Sequence, residues 1–372
     1  MPPASIERDE LAAWLRLLET PQVGRDAARR LLATFGSPQA VFEASASALK
    51  QAAGSLAAAL TEPPPSLPAL LDATLQWLQD GEQRGVLTLG DPQYPALLLE
   101  TPDPPLLLYL QGRADLLGAP SIAVVGSRNA TAQGVQNARA FGAHLSRAGL
   151  CIVSGLALGV DGAAHEGALE GAGSTIAVVG TGLDRVYPKR HLDLAHRIAA
   201  HGLMLSEYPL GAPPLAQHFP PRNRLIAGLS LGTLVVEAAL ESGSLITARL
   251  AAECGREVFA IPGSIHAPQS RGCHALIRQG AKLVDSAQDI LDELRLPLPP
   301  PSKTLAGAPS AGTASDRDPL LRALGHDPVT LDTLVDRTGE TAAALSVRLL
   351  ELELEGRVAR LPGQLFQRIG RA

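Results

Sequence analysis

Short segments that combine glycine, serine and threonine follow apolar runs in the central part of the chain. Glycine lets a ligand approach the backbone closely, and hydroxyl groups with the amides at a helix start bind phosphate. One such segment is explained by turn chemistry, whereas the convergence of five of them indicates an anion-binding site. The segments after the six runs are 126–128, 154–157, 180–182, 206–209, 237–238 and 262–264.

Cationic side chains accompany these segments at wide spacing. An extended phosphodiester chain needs several spaced cations, whereas a single mononucleotide needs few. The layout therefore favours a nucleic-acid strand as the ligand. The cations are Arg128 after the first run, Arg185, Lys189 and Arg190 after the third run, and Arg222 and Arg224 on either side of Asn223.

Two aromatic residues, Tyr187 and Phe219, lie among the cations and could stack on bases. Because aromatic residues make up only 3% of the chain, Phe219 could equally belong to the core. The arginines of segment 222–224 have an alternative role as well. Either of them could form a structural ion pair with Glu207 or Glu237.

Two common nucleotide-binding fingerprints are missing from the sequence. Segment 180–185 has arginine where the third glycine of a dinucleotide-binding loop should pack, and no P-loop motif occurs. A hydride-transfer enzyme and a P-loop ATPase are therefore poorly supported. The enzymatic alternative is a phosphoribohydrolase, because Thr233 and Glu237 resemble its Gly-Thr-x-x-Glu loop. One extra residue separates the two here, and we expect Glu237 to pair with an arginine instead.

The apolar runs alternate with helical segments from Ser121 onward. Short apolar strands separated by helices predict a parallel sheet covered on both faces, and such sheets bind ligands beyond the carboxyl ends of their strands. We predict a Rossmann-like α/β domain with a doubly wound parallel sheet. Its predicted strands are 122–125, 150–153, 176–179, 202–205, 234–236 and 258–261.

Two proline-rich stretches divide the 372 residues, which are more than one core usually holds. We predict four parts from these boundaries. They are an N-terminal all-α domain, similar to SAM or helix-hairpin-helix domains, over 1–65; a Rossmann-like domain over 66–296 with its core from about residue 120; a linker over 297–317; and a C-terminal winged-helix-like domain over 318–372.

The terminal domains carry weaker signals for DNA contact. Helices predicted over 11–18 and 26–35 flank a turn whose segment 23–25 could hold a phosphate, although most such pairs only pack. In the C-terminal domain, the presumed recognition helix 342–354 is lined by glutamates and thereby favours protein contact over a DNA groove. The charged residues in question are Glu340, Glu351, Glu353 and Glu355, against Arg348.

Bulk composition restricts the class of protein further. The net charge of -5 argues against coating of duplex DNA, although segment 121–230 contains nine Lys or Arg against six Asp or Glu. No leader-like start or bilayer-spanning apolar run occurs, so we expect a cytoplasmic protein without membrane contact. Cys151, Cys254 and Cys273 lie far apart, which predicts reduced core thiols and no structural metal. We also expect no cofactor.

The motifs, taken in order, resemble the DprA/Smf family of bacterial DNA-processing proteins over about residues 91–294. The resemblance implies a non-catalytic protein that binds single-stranded DNA cooperatively and protects incoming strands during natural transformation. It also implies loading of the RecA recombinase onto those strands, by a homodimer formed through the Rossmann-like domain. The matching motifs are 125–128, 154–165, 180–189, 218–230, 237–238 and 242–248.

The resemblance also implies roles for individual residues. Arg128 and Lys189 would be the principal phosphate contacts, and Phe219 would lie against a base. The side of the groove would be lined by Ser127, Ser154, Gly155, Arg222, Asn223 and Arg224.

Overall fold

The structure of the protein is a computed structural model that describes residues 6–81, 83–295, 318–325, 328–361 and 363–369. Along these residues, a helical unit, a sheet with helices on both faces and a small unit of helices and strands follow one another. This order confirms the predicted fold class. The linker predicted over 297–317 lies outside the described residues.

The N-terminal unit is built from short helices that each bury one apolar stripe. The helices predicted over 11–18 and 26–35 are confirmed. The helices of the unit are α1 (Arg8–Glu19), α2 (Arg25–Phe35), α3 (Pro38–Glu43), α4 (Ala46–Ala53), α5 (Ala57–Thr61) and α6 (Leu67–Gln79).

The first proline-rich stretch lies within this helical unit. The amide of Leu67 donates to the carbonyl of Pro64, and α6 begins there and packs against α1. Leu71 and Trp77 of α6 share the core of the unit. The stretch is therefore a turn between two packed helices, and we place the end of the unit at Gln79 rather than at residue 65.

The central sheet is mixed. Its described strands are β1 (Arg84–Thr88), β2 (Leu107–Gly112), β3 (Ser121–Val125), β4 (Cys151–Ser154), β5 (Thr175–Val179), β6 (Leu203–Ser206), β7 (Gly232–Val235), β8 (Glu257–Ala260) and β9 (Lys282–Leu283), in the order β1-β2-β6-β5-β4-β3-β7-β8-β9. From β6 to β9 the pairing is parallel, which confirms the doubly wound core, whereas β1 and β2 are antiparallel. The sequence-based prediction did not include β1, β2 or β9.

Both faces of the parallel strands are covered by helices. The described helices of this domain are α7 (Ala96–Leu99), α8 (Ala132–Arg147), α9 (Val160–Ala168), α10 (Leu192–His201), α11 (Phe219–Gly228), α12 (Ser244–Glu253), α13 (Arg271–Arg278) and α14 (Ala287–Leu294). In β3, Ile122 and Val124 pack in the core formed with α8, α9 and α14, whereas Ala123 and Val125 pack in the core formed with α11, α12 and α13. This alternation follows from the two-residue period of a strand.

The C-terminal unit has the helices and antiparallel strands of a winged helix, as predicted. Its core includes Leu320, Leu345, Leu349 and Phe366. The sheet order is β10-β12-β11. The elements are α15 (Pro319–Leu324), β10 (Val329–Thr330), α16 (Leu331–Thr338), α17 (Ala342–Leu354), β11 (Val358–Leu361) and β12 (Leu365–Arg368).

The three cysteines are free thiols, but only Cys151 and Cys273 are buried, while Cys254 is partly exposed. The prediction of three core thiols is therefore wrong for Cys254. Among the described residues, no cluster of His, Cys, Asp and Glu could hold a metal ion. No helix in the described part of the chain is long and apolar enough to cross a membrane.

A cluster of ion pairs joins the helical unit to the central domain. Asp103 pairs with Arg25 and Arg29 of α2, at 2.7 and 2.5 Å, and with Arg224 of α11 at 3.0 Å. Glu207 pairs with Arg224 at 2.5 Å and with Arg25 at 3.6 Å. Arg25 is thus committed to carboxylates, which argues against the phosphate role considered for segment 23–25.

Replacing Asp103 by asparagine should lower the free energy of unfolding by about 1–3 kcal/mol. Burial alone would raise the pKa of Asp103, but the pull of Arg224, Arg29 and Arg25 lowers it, so the carboxylate is charged and strongly paired. Urea unfolding checks the value. The exposed Asp72, which pairs with Arg8, is the control, and Asp72→Asn should cost less than about 1 kcal/mol. Equal effects of the two substitutions would contradict a structural role for the cluster.

Candidate nucleic-acid interface

A cleft of about 460 Å³ opens beyond the carboxyl ends of β3 and β7. The sheet order reverses at this point, because β4, β5 and β6 lie on one side of β3 and β7, β8 and β9 on the other. Ligands of open α/β sheets bind at such a switch point. The cleft is lined by Val125, Gly126, Ser127, Arg128, Asn129, Ala157, Asp161, Phe219, Pro220, Arg222, Asn223, Ile226, Ala239, Thr247 and residues 241–244 and 246.

Arg128 and Phe219 line this cleft, and both Arg128 and Tyr187 contact the ring of Phe219. The guanidinium carbon of Arg128 is 5.6 Å from the centroid of the Phe219 ring, within the range of a cation–π contact. The ring centroid of Tyr187 lies 5.7 Å from that of Phe219, at an interplanar angle of 32°. Arg128 is exposed, Tyr187 is 48% exposed and Phe219 is partly exposed. Phe219 is therefore not an ordinary core residue.

Lys189 is exposed and follows Tyr187 by two residues, but it is not among the residues that line the cleft. Neither Lys189 nor Arg128 forms an ion pair with any residue that the structure describes, whereas Arg185 pairs with Asp184 at 3.2 Å. The side chains of Arg128, which lines the cleft, and of Lys189, which does not, thus remain available to an anionic ligand.

Arg222 is only 4% exposed and holds two loops together. Its Nη1 donates to the carbonyl of Gly155 at 2.7 Å and to the carbonyl of Val178. Burial lowers the pKa of Arg222 to about 10, so the side chain stays protonated at neutral pH. Arg222 thus lines the cleft, as the family resemblance implies, but as a support at its base. It forms no ion pair with Glu207 or Glu237 in the described part of the chain, which was the alternative role.

Ser154 and Gly155 also support the cleft from below. Ser154 is fully buried, and its hydroxyl donates to the carbonyl of Val124 at 2.6 Å. A Cβ atom at position 155 would collide with the guanidinium of Arg222, which explains the glycine there. Neither residue lines the cleft, in contrast to the sequence-based expectation.

Arg224 forms a structural ion pair with Glu207, which is one of the two roles that the sequence left open. Its contacts are the ion pairs to Glu207 and Asp103, and its side chain is 13% exposed. The neighbouring Asn223 lines the cleft, and its Nδ2 donates to the carbonyl of Gly243 at 3.4 Å. Of the segment 222–224, Asn223 is therefore the residue best placed to meet a ligand.

Asp161, at the start of α9, is a buried carboxylate that sequence reasoning missed. It accepts hydrogen bonds from the amides of Gly155 and Ala157 at 3.1 and 3.3 Å, and so shapes the loop after β4. Burial raises its pKa, while Arg222 pulls it in the opposite direction. An acidic residue in the first turn of a helix, next to a glycine-rich loop, was the available signal.

Ser127 shapes the loop after β3. Its hydroxyl accepts a hydrogen bond from the amide of Asn129 at 3.1 Å, and its own amide donates to the carbonyl of Glu237 at 2.8 Å. The loop is thus tied to the chain that follows β7. Arg128, which lies inside this turn, is held at the rim of the cleft.

Glu237 has a structural partner that the sequence pattern did not predict. Its carboxylate accepts from the amide and the hydroxyl of Thr131 at 2.9 and 2.6 Å, and burial raises its pKa. The expected pairing with an arginine is wrong, because no arginine among the described residues contacts Glu237. Both carboxylate oxygens fix the start of α8, and Glu237 is not among the cleft-lining residues. This arrangement does not support glycosidic cleavage.

Two family models match the chain. One is described as DNA recombination-mediator protein A and matches residues 85–295. The other is described as the DprA winged helix domain and matches residues 303–364. Together they cover the central domain and the C-terminal unit in the order seen in the structure.

Curated relatives are similar over most of the chain. Protein Smf of Escherichia coli is 42% identical over 298 residues, which are 79% of this chain and 79% of that protein. DNA processing protein DprA of Streptococcus pneumoniae is 53% identical over 203 residues, which are 55% of this chain and 72% of that protein.

Solved structures agree with the sequence comparison. The crystal structure of the Streptococcus pneumoniae DprA is similar with a TM-score of 0.63 and 40% identity, over 78% of this chain and 98% of that chain. DNA processing protein A of Helicobacter pylori, described for its unique single-stranded DNA binding mode, has a TM-score of 0.53 and 33% identity, over 57% of this chain and 96% of that chain. The chain therefore belongs to the DprA/Smf family of DNA-processing proteins.

Proposed function

We propose that this chain binds single-stranded DNA across the cleft beyond β3 and β7. The observation that carries the proposal is the contact of Phe219 with both Arg128 and Tyr187 next to the switch point of the sheet. Rings and a cation suit stacked bases and a phosphate, and they read no base edge, so the binding should tolerate any sequence. The single-strand binding mode described for the similar Helicobacter pylori protein supports the same ligand.

Within this proposal, exposed and buried residues have different tasks. Arg128 and Lys189 bind phosphates, Phe219 packs against a base, and Ser127 and Asn223 complete the wall of the cleft. At the base of the cleft and behind it lie the residues that hold the loops and α11 in place. These supporting residues are Ser154, Gly155, Asp161, Arg222 and Arg224.

The protein acts on the bound strand as a mediator, without catalysis. It protects single strands in the cytoplasm during natural transformation, works as a homodimer through the Rossmann-like domain, and loads the RecA recombinase onto DNA. The description of the matching family model as a recombination mediator supports this role. The commitment of Glu237 to Thr131 also favours a binding protein over a nucleotide hydrolase.

A RecA assembly assay tests the mediator role. Fluorescent RecA is added to immobilised single strands that are already coated with a single-strand-binding protein. The wild-type chain should accelerate RecA assembly, and Phe219→Ala should lose most of the acceleration because base stacking contributes about 1–3 kcal/mol. Phe35→Ala, in the helical unit, is the control. Tight binding of the strand without any acceleration would reject the loading role and leave the binding proposal intact.

A further inference from the structure

The third helix of the winged-helix unit, α17, has apolar residues on two opposite faces. The inner face is buried in the core of the unit and consists of Leu345, Leu349 and Leu352. The outer face is uncovered by any described part of the chain, since Val347, Leu350 and Leu354 are 60%, 57% and 82% exposed. A helix that packs against one core needs only one apolar stripe, so the outer face needs another explanation.

The outer face has the spacing of a helix–helix seam. Together with the exposed Ala343, its residues recur at intervals of four, three and four positions. These intervals are those of the a and d positions in a heptad repeat, which line one side of a helix and pack into the holes of a partner helix. The outer face is thus shaped to receive another helix.

The rim of the seam is acidic. Glu351 and Glu353 occupy the two flanking positions, are exposed, and form no ion pair with any described residue. They also lie in the last turn of α17, where the negative end of the helix dipole disfavours carboxylates. Arg348, the cation of α17, is already paired with Asp318 and Glu340. A cationic partner would pair with Glu351 and Glu353 and would also offset their unfavourable interaction with the helix dipole.

We propose that the outer face of α17 docks an amphipathic helix of a partner protein whose apolar seam is flanked by lysine or arginine. DNA phosphates would be repelled by the glutamates, although the third helix of a winged helix commonly enters a DNA groove. A second copy docked through the same face would bring the same glutamates to the rim, and Arg348 of its α17 is already paired. This docking site is separate from the cleft beyond β3 and β7.

Designed peptides test the proposal on the full chain. One labelled peptide has leucine at the seam positions and lysine at the flanking positions, and the matched peptide has glutamate at the flanking positions. By fluorescence anisotropy, the lysine peptide should bind at least about tenfold more tightly, a preference that weakens with salt. Exchanging Glu351 and Glu353 for lysine should reverse the preference.

Substitutions in the seam locate the site. Leu350→Glu with Leu354→Glu should lower the affinity for the lysine peptide at least about tenfold. Leu99→Glu, at a leucine of the central domain that is 54% exposed, should leave it unchanged. Because these leucines are exposed, the variants should fold, and single-strand binding should remain at the wild-type level.

Several results would overturn the proposal. Equal binding of the two peptides would show that the acidic rim does not select the partner. Full binding of the lysine peptide by the Leu350→Glu, Leu354→Glu variant would show that the outer face of α17 is not the binding site. Self-association in sedimentation that disappears in this variant would identify a second copy as the occupant. A loss of single-strand binding in the variant would show instead that α17 contacts DNA.

Discussion

Replacing Arg128 and Lys189 together by alanine should lower the affinity for a single-stranded oligonucleotide by about a hundredfold or more at low salt. Each charged hydrogen bond to a phosphate contributes about 1.5–3 kcal/mol. Neither side chain forms an ion pair with a described residue, so no carboxylate there competes with the phosphate for it. The loss of two phosphate contacts should also reduce the slope of log affinity against log salt by about 1.4. Fluorescence anisotropy over a salt series measures both quantities.

The matched control removes the same charge from another part of the central domain. Arg139 and Arg147 of α8 pair with Glu170, at 3.1 and 2.7 Å, and are not among the residues that line the cleft. Their joint replacement by alanine should leave the affinity within about threefold of wild type, since exposed pairs contribute little. If both double variants weaken binding equally, net charge rather than the cleft governs the interaction.

Arg222→Met should lower the free energy of unfolding by about 3–5 kcal/mol, the largest effect on stability that we expect. The substitution leaves the carbonyls of Gly155 and Val178 without their donor and leaves the buried Asp161 without its neighbouring cation. Urea unfolding followed by circular dichroism measures the change. DNA binding should fall only as far as the folded fraction falls.

Arg190 provides the comparison for Arg222. It is exposed and has no ion pair with a described residue, so Arg190→Met should change the free energy of unfolding by less than about 0.5 kcal/mol. A fully stable Arg222→Met protein that no longer binds single strands would show that Arg222 is itself a DNA ligand. In that case Arg222 would contact the strand directly, and the supporting role would be wrong.

The parallel core could be predicted because its signal is local. Each central strand is a continuous apolar run followed by a helix, which leaves few other arrangements. The strands β1 and β2 lack this signal, because they pair in antiparallel fashion without a crossover helix. One face of each packs against the N-terminal helical unit. Val86 and Tyr109 pack into the core of that unit, and no local sequence pattern predicts this contact.

The position of the cleft could be predicted from the sequence, but the contacts of its individual side chains could not. Strand ends of a parallel sheet share one edge, so the convergence of Arg128 and Phe219 followed from the fold. Whether Arg222 is held by backbone carbonyls or is free to meet a ligand depends on how α11 packs, and the carbonyls that hold it, of Gly155 and Val178, are distant in sequence. The pairing of Glu237 with Thr131 joins residues more than a hundred positions apart and could not be found from spacing alone.

The most direct test of the account is the affinity of the wild-type chain for a fluorescent oligo-dT and for its duplex counterpart at two salt concentrations. Stacking of bases on the rings of Tyr187 and Phe219 requires unpaired bases, so single strands should bind more tightly than duplex at both salts, and both affinities should fall as salt rises. Equal affinity for the two forms would contradict the central claim, because it would show that the protein reads the phosphate backbone without the rings of Tyr187 and Phe219.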